Sequence, residues 1–416
     1  MKRYWTSLLP AAAMVLVLGA FYIRSVLVRP DFPEVTFSEE ETEAVQNVTL
    51  IGTFDSGASG SSALKVNSEG SVYNEELSFY DRFSGSFDTP PQIQRLQSNW
   101  RSFMRGKSAD PANYFENAEF LTYANVSGND SGSGSGDCMM VIEILNKKSG
   151  AETAFSTSIP DEEAYDYLSV TDVQLINGKV KVVTNNTIKA AVNGSYLSEL
   201  HVYHFDLAHQ RIVDDQRIQF AAGADQETGQ AGYATLLNDW TNAGPDNYLL
   251  AVLTYETDEY AEGGPAAVSA SAMNHCTVYN IATNEQKPIE LPIENPANVL
   301  KVAVENETIY IGERLGSQIR VTSYDIPSQT VKHTVILALP PAVEAGESYA
   351  PGESLMEINK GRVYLTNTLL VPGEESRFYV LEAESGKAVY AGAIRTQAAE
   401  AGNRSGEFNF YEMIIN

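Results

Sequence analysis

LMEINKGRVYLTNTLLVPGEESRFYVLEAESGKAVYAGAI, residues 355–394, decides the fold, because versions of it recur through most of the chain. Its second half, from Arg377 to Ile394, has the pattern of HVYHFDLAHQRIVDDQRI at His201–Ile218 and TVYNIATNEQKPIEL at Thr277–Leu291. Further copies are VTSYDIPSQTVKHTVIL at Val321–Leu337 and MVIEILNKKSGAETAF at Met140–Phe155. Each reads as a strand, a polar turn and a return strand. The first half recurs as hairpins in VTDVQLINGKVKVVTNN from Val170 and VLKVAVENETIYIGE from Val299. Asn177-Gly178 is a strong hairpin signal, since both residues tolerate the positive φ of a type I′ turn.

An acidic or amide residue recurs near the end of the first strand of each such copy, at Glu143, Asp206, Asn280, Asp325 and Glu382, with spacings of 63, 74, 45 and 57 residues. Those spacings scatter around the roughly 40 to 50 residues of a four-stranded propeller blade plus its loops. The pattern predicts an all-β chain, a β-propeller of about six to seven blades, with one amphipathic helix inserted and an N-terminal transmembrane helix. A β-sandwich or another repeated-hairpin fold is the alternative. The final strand pattern, Phe408–Ile415, is expected to pair with Val48–Phe54 and so remove the exposed sheet edges.

The chain has 28 basic and 54 acidic residues, a net charge of −26. Four of the basic residues (Lys2, Arg3, Arg24, Arg29) lie at the amino terminus, leaving 24 against 54 in the rest. Such a surface repels phosphate backbones, so nucleic acid is excluded as a partner. Residues 5–23, WTSLLPAAAMVLVLGAFYI, carry no charge over 19 positions, close to the roughly 20 that cross a bilayer as a helix. The expected layout is a cytoplasmic tail at 1–4, a signal anchor at 5–23, an acidic stalk at 24–47 and an extracytoplasmic domain at 48–416. A cleaved signal peptide is the competing reading, but Leu18-Gly19-Ala20 is a poor cleavage site.

Thr89–Gly106 departs from the strand pattern. Thr89 is the expected cap, Pro90 the first helical residue, Gln92 the partner in a capping box, and Gly106 the stop. Ile93, Leu96, Trp100 and Phe103 share one face. Arg95, Arg101, Arg105 and Lys107 make this the most basic segment of an acidic chain, so Arg95, Trp100, Arg101, Arg105 and Lys107 are candidates for docking an anionic partner. Packing on the blades, with the arginines paired to acidic loops, is the plainer expectation.

Motifs that carry chemistry are sparse. Cys138 and Cys276 fall in different repeats and are expected to stay unbridged. His201 and His204 sit three apart on a strand, on opposite faces, and do not chelate one ion. Phe54–Ser59, FDSGAS, resembles the aspartate loop of aspartic proteases, but the second such loop these enzymes need is missing. No catalytic residue, cofactor or metal is assigned.

In layout, with an anchor, an acidic stalk and repeated hairpins, the chain resembles the membrane-anchored, extracytoplasmic propeller-like proteins of unknown role in Gram-positive bacteria. That resemblance implies a non-catalytic binding or scaffold protein of the cell envelope, or a sensor accessory, held in the membrane by its N-terminal helix and meeting a protein or glycan partner. The alternative is a glycosidase-like hydrolase with paired carboxylates in a propeller funnel, which needs no linear motif.

Overall fold

The computed structural model describes residues 14–17, 19, 32–38, 43–56, 60–78, 81–82, 85, 87–128, 138–188, 197–220, 232–238, 243–255, 275–316, 318–338, 354–397 and 406–415. Expectations for the rest of the segment 5–31 and for the loops 129–137, 221–231 and 256–274 lie outside these residues. Among the described residues no helix is long and apolar enough to cross a membrane.

Among the described residues the chain is mostly β and propeller-like, and its strands group into six successive antiparallel units of four. Unit one is Glu407–Ile415, Val48–Asp55, Ser61–Asn67 and Gly70–Tyr73, so its first strand comes from the end of the chain. Unit two is Tyr114–Glu116, Phe120–Ser127, Met139–Asn146 and Glu152–Ser158. Unit three is Tyr165–Ile176, Lys179–Ile188, Leu197–Asp206 and Arg211–Arg217. Unit four is Gly232–Leu236, Tyr248–Tyr255, His275–Asn280 and Gln286–Ile289. A single parallel pair, Leu197 with Gly232, touches it to unit three. Unit five is Val299–Glu305, Thr308–Leu315, Gln318–Asp325 and Thr330–Ala338. Unit six is Ser354–Asn359, Arg362–Asn367, Glu375–Glu382 and Ala388–Gln397. Two facing sheets of a sandwich would not give this register.

The closing pair forms as the sequence predicts, Val48 opposite Ile415 through Phe54 opposite Phe408. Phe54, Phe408 and Phe410 are fully buried there. Asn177 and Gly178 both have positive φ, 51° and 73°, as the hairpin turn requires.

Apolar side chains lie between units. Separate clusters bridge units two and three around Ile142 and Val180, three and four around Val202 and Leu249, four and five around Val278 and Ile311, five and six around Val321 and Val363, and six and one around Phe378 and Leu50. The second and third strands, covered on both faces, therefore read as near-continuous apolar runs such as VKVV at Val180–Val183, all buried. Outer strands such as Arg211–Arg217, mostly exposed, carry charges that discourage edge-to-edge pairing.

Between units one and two stands the helix. Ile93, Leu96, Phe103 and Met104 pack on Tyr114, Leu121 and Leu145 of unit two, while Lys65 of unit one donates to the Thr89 carbonyl and lies over the Phe87 ring. The helix begins at Pro91, one residue later than expected, and is broken at Trp100 into Pro91–Asn99 and Arg101–Met104. The reason is local: Pro91 forces Pro90 out of the helical region, to ψ 143°. Pro90 becomes the cap, no side chain caps the helix, and the Thr89 hydroxyl turns back to donate to the Gly85 carbonyl. Gly106, at φ 75°, closes the segment as predicted.

Part of the segment 24–47, expected to be an acidic stalk, packs on the units. Glu34–Phe37 pairs with Ala388–Gln397 as a fifth strand on unit six, and Ala44 and Val45 are buried in the core shared by units six and one. The alternation of Val35 and Phe37 with polar neighbours carried that strand, and the prolines around it masked the signal.

Candidate functional site

The first strands of the six units converge on a line of three cavities. The first, about 460 Å³, is lined by Val304 and Glu305 of unit five, Asn359 and Lys360 of unit six, Ile414 and Ile415 of unit one, Asp246, and the start of the helix at Pro91 and Arg95. The second, about 330 Å³, shares Asp246 with it and is lined by Tyr114 of unit two, Val170 and Asp172 of unit three, and Thr235 and Leu236 of unit four. The third, about 370 Å³, shares Asp110, Ser169 and Val170 with the second and opens toward Tyr167. Volumes of this order suit small ligands.

The wall of the middle cavity is built by irregular backbone. Against the neighbouring strand, Val183 pairs with Asp172 and Thr184 with Val170, so Thr171 is one residue too many. That bulge re-aims the side chains beside it. The Asp172 carboxylate accepts from Gln174 Nε2 at 3.1 Å, and Gln174 Oε1 in turn accepts from the Asp246 backbone N–H at 3.1 Å. Asp246 Oδ2 accepts from Asn238 Nδ2 at 3.1 Å. One carboxamide thus ties the Asp172 carboxylate to the Asp246 backbone.

Asp172 is the anomaly. Its Oδ2 is shut off from solvent and has no hydrogen-bond partner. Burial pushes the carboxyl up to about 6, against the lowering effect of the Gln174 and Val173 hydrogen bonds. At the first cavity Asn359 Oδ1 is likewise buried without a partner, while Glu305 accepts from the backbone N–H groups of Lys360 and Gly361 and ties unit five to unit six.

The basic segment is divided. Arg95 and Lys147 both pair with Glu116; burial would raise this carboxyl, yet their hydrogen bonds hold it below the usual range. Lys107 pairs with Glu143 at 2.9 Å and lies over the Phe103 and Tyr123 rings. Trp100, half-buried, packs against the helix cluster under Lys147. Arg101 and Arg105 are exposed. Of the five candidates, Arg95 alone reaches the line of cavities.

The repeated acidic and amide residues hold turns. Asp206 accepts from the Ala208 and His209 N–H groups, Asn280 from Ala282 and Thr283, Asp325 from Ser328, and Glu382 from the Ser385 hydroxyl. In unit two this place belongs to Asn146, which accepts from Lys148 and Ser149, and not to Glu143. His201 and His204 separate as expected. His201 binds Glu199 and Asp215, and although burial disfavours its charge, those hydrogen bonds raise it to about 9. His204 faces Asp214 and Tyr279. Among the described residues no group of side chains is arranged to hold a metal ion. Cys138 and Cys276, in units two and four, form no disulfide.

No family model matches the chain, and no curated protein matches it. Solved structures with some likeness include the Dos1 propeller, 10% identical with TM-score 0.29, covering 68% of this chain and 56% of that one. An acylaminoacyl peptidase is 7% identical with TM-score 0.32, covering 88% and 46%. The periplasmic gluconolactonase of Pseudomonas aeruginosa is 11% identical with TM-score 0.31, covering 85% and 99%. The chain thus spans about half the length of the first two. At these scores the likenesses carry no argument, and the architecture rests on strand register.

Proposed function

We propose that the chain is a six-bladed propeller, anchored by residues 5–23 and lying outside the cytoplasm, that binds a small polar ligand in its central passage without transforming it. One observation carries the reading: all six first strands line a row of cavities that share lining residues, and polar side chains from several units line them. Arg101 and Arg105, left exposed at the seam helix, are the part of the basic segment suited to an anionic envelope partner.

The test is a thermal-shift and calorimetric screen of the full chain against saccharides, amino acids and amines, repeated on Thr235→Trp, which fills the middle cavity. Saturable binding that this variant loses supports the reading. Binding that survives in the filled variant would place the ligand elsewhere.

Hydrolysis is the second reading, favoured by one feature: Asp172, pushed up to about 6, shares a cavity with Asp246, and carboxylates in unlike environments suit acid and base roles. Turnover of chromogenic aryl glycosides that Asp172→Asn abolishes would move the assignment to an enzyme.

A further inference from the structure

We infer that one face of the ring is turned to the bilayer, and that Arg101 and Arg105 meet its anionic headgroups there. The inference rests on the anchored reading and gives the exposed arginines their partner. In every unit the first and third strands begin, and the second and fourth end, on the same face. The chain reaches the ring at that face. Phe32 stacks on Tyr73, the last residue of the fourth strand of unit one, with ring centroids 4.3 Å apart. The Tyr73 hydroxyl donates to the Pro33 carbonyl at 2.5 Å, and Glu34 pairs with Gln397, the last residue of the fourth strand of unit six. Residues 24–31 alone separate Phe32 from the anchor, a stretch that spans at most about 30 Å fully extended. This corner of the ring is therefore held close to the membrane.

The basic segment crosses from one face to the other. Its start lines the first cavity with Glu305 and Ile415, where first strands end. Just past its end, Ser108 and Asp110 line the third cavity with Ser127, where a second strand ends, and with Ser169, near where a first begins. Arg101 and Arg105, exposed near that end, thus lie toward the tethered face, on the far side of unit one from the tether. Basic side chains close to an anionic bilayer surface are attracted to it, and Arg24 and Arg29, beside the anchor in sequence, carry the same sign. Asp161, Glu163 and Asp166, exposed on this face between units two and three, are repelled. The ring therefore leans on its unit-one side, and the first cavity opens away from the membrane.

The test is energy transfer from single donor-labelled cysteines to headgroup acceptor dyes, with the full chain in vesicles of phosphatidylcholine and phosphatidylglycerol. Cys138→Ser removes the more exposed native thiol, Cys276 being buried. Donors at the exposed positions Ser61 and Glu374 sit on the tethered face, and donors at Ala208 and Ala282 on the opposite one. The first pair is expected to lie nearer the acceptors by at least about 15 Å, over half the length of an eight-residue strand. Arg101→Glu combined with Arg105→Glu, or vesicles of phosphatidylcholine alone, should lower transfer from Ser61 by about a third or more. If the labelled variants fail to fold, hydrogen exchange of the unaltered chain reports instead: residues 101–107 should exchange severalfold more slowly with phosphatidylglycerol present than without it. A chain that does not float with the vesicles overturns the anchor, and the inference with it. A floating chain whose two faces are equidistant or reversed overturns the face assignment and leaves the anchor standing. Transfer, or exchange, indifferent to the arginines and to phosphatidylglycerol overturns the headgroup contact.

Discussion

The outer turns and the central passage use the same residue types to opposite ends. At the outer turns, Asp206, Asn280 and Asp325 each accept a nearby backbone N–H, so the side chain closes the turn that places it. In the passage, Asp172 and Asn359 keep buried oxygens without donors. Satisfied polar groups at the rim stabilise the fold. Unsatisfied ones at the axis weaken it. The contrast predicts a sign: removing rim groups should destabilise the protein, and removing the axial carboxylate should stabilise it.

The largest effect should come from opening the ring. Deleting residues 408–416 removes the first strand of unit one and exposes Phe54. The loss should exceed the total stability of a typical domain, about 5–15 kcal/mol, and circular dichroism should show no cooperative transition. A cooperative transition at an unchanged temperature would break the closure account.

A smaller effect should follow from His201→Gln. Native His201 holds its proton to about pH 9, against an ordinary value of 6.5. The folded state thus binds the proton more tightly, and this stability is complete below about pH 6.5 and lost as pH rises through 9. The variant should lose on the order of 3 kcal/mol at pH 6, with the deficit shrinking toward pH 9.5 in urea titrations. A deficit that grows with pH would contradict the pairing with Asp215 and Glu199.

The smallest rim effect should be Asn280→Ala. It removes acceptors for two N–H groups, each at 2.9 Å, and should cost about 1 kcal/mol, read as a lowered urea midpoint. No loss would remove Asn280 from the satisfied class.

The rim was legible in the sequence because it repeats. Asn177-Gly178, the third-strand Asp or Asn, and the Phe408–Ile415 partner of Val48–Phe54 each announce a local geometry through residue type and spacing. Glu143 misled because it stands three residues before Asn146, the residue that holds the turn. The helix start was misplaced by one residue because Pro90-Pro91 shifts the cap that Thr89 appeared to supply. The passage was not legible, since it is assembled from strands as distant in sequence as Tyr114 and Ile415. One signal was present: Asp172 interrupts the β-branched run Val170-Thr171 and Val173, where a carboxylate has little strand preference. Its direction depends on the Thr171 bulge, which no spacing reveals.

The most direct test of the axial claim is the unfolding free energy of Asp172→Asn against the parent from pH 4 to pH 8. Native Asp172 protonates near 6 and the unfolded carboxyl near 3.8, so the parent loses stability as pH rises through that window, while asparagine does not. With Asp110 and Asp246 unchanged in both proteins, the variant should gain on the parent by on the order of 2–3 kcal/mol between pH 4 and pH 7.5. A variant no more stable at pH 7.5 than at pH 4, relative to the parent, would contradict an unsatisfied carboxylate at the axis.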